Sequence, residues 1–138
     1  MPSAADLLGN RRRVLVTGGG GFIGGAVVRR LLRESNAIVF NLDKMGYASD
    51  LTSIEEVINE LGVEHQDRHQ LLPIDLCDAE AIQQAVEIAD PDLVMHLAAE
   101  SHVDRSISGP GVFIESNVTG TYNLLQAVRS HFEQLATE

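Results

Sequence analysis

Four short apolar runs punctuate the chain, at Arg13–Thr17, Ala37–Leu42, Gln70–Ile74 and Leu93–Ala98. Each is too short for an ordinary helix, and each predicts a strand buried on both faces. Between them the period lengthens. Ile23, Val27 and Leu31 recur at i, i+4 and i+8 and predict the inner face of a helix. Thr52 and Glu55 have the spacing of a capping box ahead of a stripe of Ile54, Val57, Ile58 and Leu61, with Gly62 placed to end the helix. Asp78 opens a third pattern that carries Ile82, Ala85, Val86 and Ala89 until Pro91 stops it. The fourth sets Val118, Tyr122, Leu125 and Phe132 on a helical period.

Strand and helix thus alternate four times, with no internal repeat and no low-complexity tract beyond one glycine run. Right-handed crossovers turn that order into an α/β fold, a doubly wound parallel sheet with helices on both faces. Residues 1–12 precede the first strand and predict a short mobile leader, leaving 13–138 as the domain. Ligands of open parallel sheets bind beyond the carboxyl ends of the strands. The residues that follow each strand therefore carry the chemistry.

Val14–Gly25 runs from a strand through glycines into a helix. Gly18, Gly21 and Gly24 fall at every third position, which suits a tight turn, a bare backbone facing a pyrophosphate and close packing of the helix. The free N–H groups and positive dipole of the helix start face the same way. Ala26 and Val27 follow Gly24-Gly25 where a mononucleotide P-loop needs lysine, so ATP or GTP hydrolysis fits poorly. Asp43 lies nineteen residues beyond Gly24 at the end of the second strand. A carboxylate there accepts ribose hydroxyls and repels a 2′-phosphate, favouring NAD over NADP, although Lys44 beside it weakens that exclusion. The reading is a Rossmann-like dinucleotide site. Asp75 and Leu76, after the third strand, stand where an adenine edge would lie, or shape the entry to the next helix. Ala98 and Ala99 leave room for a flat group after the fourth.

Other chemistries are weaker. Ser101, His102 and Asp104 are too close in sequence to converge as a hydrolytic triad. His65 and His69 have no third ligand and no helix, so they read as solvated side chains and no metal is expected. His96, inside an apolar strand, reads as a satisfied core residue.

Composition narrows the class. The 138 residues, 44% of them hydrophobic, suffice for one domain. Twenty acids against ten Lys and Arg leave a formal charge of −10, which disfavours nucleic acid as a partner. Residues 1–34 carry six arginines and a charge of +4, the remainder −14. Arg29, Arg30 and Arg33 fall in the last turns of a helix, where cations suit the dipole. Arg11–Arg13 lack the continuous apolar stretch of an export signal, and no apolar run approaches the ~18 residues of a membrane span. Cys77 stands alone, with no internal disulfide to form, and a cytoplasmic setting is expected.

The stretches VTGGGGFIG (Val16–Gly24), Asn41–Lys44, Asp75–Asp78, LAAESHVDRSI (Leu97–Ile107) and FIESNVTGT (Phe113–Thr121) resemble dTDP-glucose 4,6-dehydratases, within the extended short-chain dehydrogenase/reductase superfamily. The resemblance runs from about Arg13 to the C-terminus. It implies NAD as cofactor, with Phe22 and Ile23 at the pyrophosphate turn and Asp43, Lys44, Met45 and Gly46 around the adenosine ribose. Asp75 and Leu76 would flank adenine. Leu97, Ala98, Ala99, Glu100 and Ser101 would run beneath the ribose and nicotinamide, with Ser101 also touching substrate. Ser116 replaces a family threonine and keeps its hydroxyl, Gly46 replaces another and loses it, and Ser49-Asp50 stands where the family has Gly-Asn. Asp50–Leu71 looks longer than the usual family connection.

The family reaction oxidises C4 of a nucleotide-linked hexose, eliminates water across C5–C6 and returns the hydride to C6. Its acid–base work falls to a Tyr-x-x-x-Lys pair and an Asp-Glu pair, neither found here. Tyr47 is followed four residues on by Leu51 and Tyr122 by Gln126, while Lys44 is the only lysine. The resemblance therefore implies a cofactor-binding portion of a sugar-nucleotide dehydratase, with no catalytic residue of its own and no turnover alone. A UDP-sugar epimerase or decarboxylase and a non-catalytic dinucleotide-binding module are the alternatives. The superfamily strand order leaves Leu93–Ala98 at a sheet edge, which predicts self-association through that edge or the Val118–Phe132 helix.

Overall fold

The computed structural model describes residues 1–138. Four strands, β1 (Arg13–Thr17), β2 (Ile38–Leu42), β3 (His69–Leu72) and β4 (Leu93–His96), form one parallel sheet in the order β3-β2-β1-β4. Arg13 to Thr17 lie in register with Ile38 to Leu42 on one side, and Val14 to Thr17 with Leu93 to His96 on the other. The doubly wound sheet is as expected, with β4 at its edge. Strand ends differ by one or two residues. β3 stops before Pro73, which has no N–H to give a ladder.

Alternation along the strands divides the core. Val14, Val16 and Val39 pack with Val28, Leu31 and Leu32 of α2 (Phe22–Glu34) and Ile54 and Val57 of α3 (Thr52–Leu61). Leu15, Phe40 and Leu42 face α4 (Ala79–Ala89) and α7 (Gly120–Thr137), meeting Ile82, Ala85, Val86, Leu124 and Ala127. Both faces are covered, which is why the strands read as continuous apolar runs.

Several expectations are corrected. The opening residues are not a loose leader. Ala4–Leu8 form α1, capped reciprocally by Ser3 and Asp6, and bury Ala4 and Leu8 in the first core. Glu34 accepts the Ala4 N–H at 2.9 Å, fastening α1 to the end of α2. The inner face of α2 is set by Gly24, Val28, Leu31 and Leu32, while Ile23 is exposed. Thr52 is no N-cap: it is the first helical residue of α3, and the Asp50 carboxylate accepts both its N–H (2.9 Å) and its hydroxyl (2.7 Å). On α7 the buried residues are Gly120, Leu124, Ala127 and His131, so Tyr122, Leu125 and Phe132, with Val118 just before the helix, lie outward. A helix with apolar residues on two faces offers both stripes to a periodicity reading, and only packing chooses between them.

The long connection between β2 and β3 holds α3 and a 3₁₀ turn, Val63–Arg68. That turn delivers the Arg68 guanidinium to the carbonyls of Leu32 (3.1 Å), Ser35 (2.6 Å) and Ala37 (3.1 Å), closing the C-terminal end of α2. His69 is not solvated. It is half-buried against Asn41 (Nδ2 to Nε2, 3.2 Å), and burial holds its pKa below the usual histidine range. No helix is long and apolar enough to cross a membrane.

Candidate functional site

A cleft of about 720 Å³ opens beyond the carboxyl ends of β1, β2 and β4. Gly18, Gly21, Phe22, Ile23 and Gly24 form one wall, Asp43, Lys44 and Gly46 a second, Asp75 and Leu76 a third, and Leu97–Ser101 with Ser116 the floor. Every residue singled out as cofactor-binding lines it except Met45, whose backbone N–H bonds to Asp43 instead. Tyr47, Ser49, Ile74 and His102 also line it, although the motifs assign none of them a cofactor contact.

The glycine turn is built as the spacing demands. Gly18 takes φ +73°, and a Cβ there would meet Ala98 Cα at 2.7 Å. The turn is therefore pressed against the floor. A Cβ on Gly24 would collide with the Gly18 carbonyl, so this glycine fits the helix to the loop and not to the sheet. Gly21 is the N-cap of α2 and brings no side chain. The N–H groups of Phe22, Ile23 and Gly24 find no acceptor in the chain. Unpaired donors at a helix start beside a cleft favour an anion.

Asp43, buried at 7% exposure, already holds three donors: Gly20 N–H on Oδ2 (2.9 Å), and Met45 N–H and the Ser49 hydroxyl on Oδ1 (2.7 Å each). A carboxylate has about four acceptor positions. One, on Oδ2, is left for a ligand. Lys44 reaches over to Glu100, Nζ to Oε1 3.0 Å, and this hydrogen bond raises its pKa further above the usual lysine value. Tyr47 adds a second tie between the same two segments. Its ring lies 3.7 Å beneath the Arg105 guanidinium and 5.4 Å from the His102 ring.

Behind the floor, α5 (Val103–Ser108) and α6 (Pro110–Ile114) lead into a π-helical turn, Glu115–Thr119, that joins α7. The wider turn presents Ser116 to the cleft and Asn117 to the floor. Asn117 accepts the Glu100 N–H (2.8 Å) and donates to the Glu100 carbonyl (3.0 Å), holding residue 100 on both sides. His96 is satisfied on both ring nitrogens, by Thr17 and Thr121. Asp75 turns the chain into α4 by accepting the Cys77 N–H at 2.9 Å, so lining the cleft and shaping the helix entry are compatible. Ser101, His102 and Asp104 make no hydrogen bonds to one another.

A family model described as GDP-mannose 4,6 dehydratase matches residues 15–137. The chain belongs to that family. It is 46% identical over 127 residues to a dTDP-glucose 4,6-dehydratase of Neisseria meningitidis serogroup B, covering 92% of this chain and 34% of the relative. Among solved structures it resembles the UDP-glucose 4-epimerase of Thermus thermophilus in complex with NAD. That likeness has TM-score 0.71 and 32% identity over 86% of this chain and 34% of the other. It also resembles the dTDP-glucose 4,6-dehydratase of Bacillus anthracis str. Ames in complex with NAD, with TM-score 0.68 and 26% identity over 87% and 34%. The resemblance read from Leu97–Ile107 and the family match agree. The chain spans about a third of the length of the curated relatives it matches.

Proposed function

We propose that the cleft binds NAD and that this chain is the cofactor-binding portion of a sugar-nucleotide dehydratase. The observation that carries the reading is the convergence, on one cleft, of unpaired N–H groups at the start of α2 with the Asp43 carboxylate and the Ala98–Ala99 floor. In this reading Gly18, Gly21, Phe22, Ile23 and Gly24 receive the diphosphate. Asp43, Lys44, Met45 and Gly46 surround the adenosine ribose, the last two through backbone. Asp75 and Leu76 flank adenine, and Leu97–Ser101 with Ser116 take the nicotinamide half. Ser101 also faces the nucleotide sugar. NAD supplies the hydride acceptor and donor for the family reaction.

The chain's own residues bind and orient but do not supply the acid–base pair. Tyr122 lies on the outer side of α7, bonded to Gln126 (2.8 Å), and Tyr47 is engaged with Arg105. Catalysis therefore needs groups beyond those seen here, and this polypeptide alone yields no 4-keto-6-deoxy sugar from dTDP-glucose and NAD. Calorimetric titration tests the cofactor: NAD binds more tightly than NADP, and equal or tighter NADP binding overturns the reading. The likeness to an epimerase keeps a UDP-sugar epimerase as the second reading. The Glu100–Ile107 stretch and the 46% identity to a dehydratase favour the first. The outward apolar stripe of α7 supports a homo-oligomer, and the exposed thiol of Cys77 suits a reducing cytoplasm.

A further inference from the structure

Ser49 stands where its hydroxyl has one fate as a donor and another as an acceptor. Its O–H is directed at Asp43 Oδ1, 2.7 Å away, and nothing in the chain donates to its oxygen. The same residue lines the cleft beside Asp43. Its placement is held from both sides. The Ser49 N–H bonds to the Gly46 carbonyl at 3.0 Å, and the Asp50 N–H to the Gly20 carbonyl at 2.8 Å, so the segment is fastened to the glycine turn.

A vicinal diol at this point meets two acceptors side by side: the remaining position on Asp43 Oδ2 and the free lone pairs of Ser49 Oγ. A phosphate at the same place gains no proton from Ser49, whose hydroxyl is committed to a carboxylate. Lys44, the adjoining cation, is drawn toward Glu100 at 3.0 Å, which spends one of its three N–H donors.

We propose that Ser49 is a specificity-determining residue: its oxygen accepts one hydroxyl of the adenosine ribose while its bond to Asp43 denies a proton to a 2′-phosphate. This rests on the assignment of the cleft to NAD and sharpens it, because Asp43 alone has a single acceptor position to offer. It also gives a role to a residue at which the chain departs from the Gly-Asn of the family it resembles.

The test is calorimetric titration of the full chain with NAD and with NADP, for wild type, Ser49→Ala and Ser49→Thr. Loss of one neutral hydrogen bond weakens NAD binding of Ser49→Ala roughly three- to tenfold. NADP affinity stays within about twofold, because no bond to it is lost, so the NAD:NADP ratio narrows. Ser49→Thr keeps the hydroxyl and the wild-type ratio. An unchanged ratio in Ser49→Ala overturns the proposal, whether both affinities hold or both fall together, the latter marking a purely structural hydroxyl. Wild type that binds neither nucleotide removes the cofactor assignment itself, a result distinct from wild type preferring NAD with Ser49→Ala doing so equally.

Discussion

Thr17 Oγ1 lies 2.6 Å from Nδ1 of His96, and that contact fixes the direction of every hydrogen bond behind the cleft floor. The Thr17 oxygen accepts the N–H groups of Leu97 (3.0 Å) and Ala98 (3.1 Å), so its own proton goes to His96 Nδ1. His96 is then the neutral Nε2–H tautomer and donates to Thr121 Oγ1 (2.9 Å), which donates to the Asn117 carbonyl (2.7 Å). Asn117 in turn grips Glu100. One chain of hydrogen bonds thus runs from β1 through β4 to the π-helical turn and sets the height of residues 97–100.

Thr17→Val removes the hydroxyl while keeping the shape of a fully buried side chain. The Ala98 N–H and His96 lose their partner and the Leu97 N–H keeps only the Thr17 carbonyl at 3.3 Å, which costs about 1–3 kcal/mol in urea unfolding. NAD affinity falls as well, because the floor is no longer pinned. Thr17→Ser restores both quantities toward wild type.

His96 in that network and His69 against Asn41 on the far side of the sheet make stability depend on pH. Burial depresses the pKa of His96 and of His69 from the ordinary value of 6.5. The unfolded state therefore takes up protons first as pH falls, and stability rises with pH through that window. The two histidines' contribution is fully present above about pH 6.5 and is lost below it, down to their folded pKa values. Urea midpoints measured between pH 5 and 8 should drop on the acid side, and His69→Gln should shallow that drop.

The legible part of this protein is what short-range pattern determines. Glycines at 18, 21 and 24 between a strand and a helix admit one geometry, and Asp78 with Pro91 brackets α4 because a cap and a stop act within a turn. What escaped depends on partners far along the chain. Nothing local in Arg68 announces the carbonyls at the end of α2, and nothing in Ser49 announces the carboxylate of Asp43. Thr52 and Glu55 have capping-box spacing, yet Asp50 is a charged and stronger acceptor two residues upstream of Thr52. On α7 both stripes are periodic, and the one with the larger side chains is the one outside.

Leu8 tests the correction at the N-terminus. It is 5% exposed in the core shared with α2. Leu8→Ala should destabilise the domain by about 2 kcal/mol or more in chemical denaturation, as for other core leucines. A mobile leader would show no change.

The outward stripe of α7 predicts association. Val118, Tyr122 and Leu125 are each about 60% exposed and lie along one side of the π-helical turn and the 18-residue helix that continues it. A contiguous apolar strip of this kind is uncommon on a monomer. Light scattering at micromolar concentration should find wild type above the monomer mass and Tyr122→Glu/Leu125→Glu at it, with unchanged helical content. Association that persists in the double variant would move the interface to the edge of β4.

Two glycine substitutions separate loop geometry from general helix propensity. Gly24 and Gly111 both sit inside helices, and alanine favours a helix at each by up to about 1 kcal/mol. A Cβ at Gly111 has nothing within 4 Å, so Gly111→Ala should be neutral or stabilising. At Gly24 the same methyl group runs into the Gly18 carbonyl, which cannot retreat because Gly18 is itself pressed on Ala98. Gly24→Ala should therefore cost about 1–3 kcal/mol of stability despite its better propensity. It should also abolish NAD binding by calorimetry, since the displaced turn carries the N–H groups of Phe22 and Ile23 with it. Intact binding in a folded Gly24→Ala protein would mean that the diphosphate does not rest on that turn.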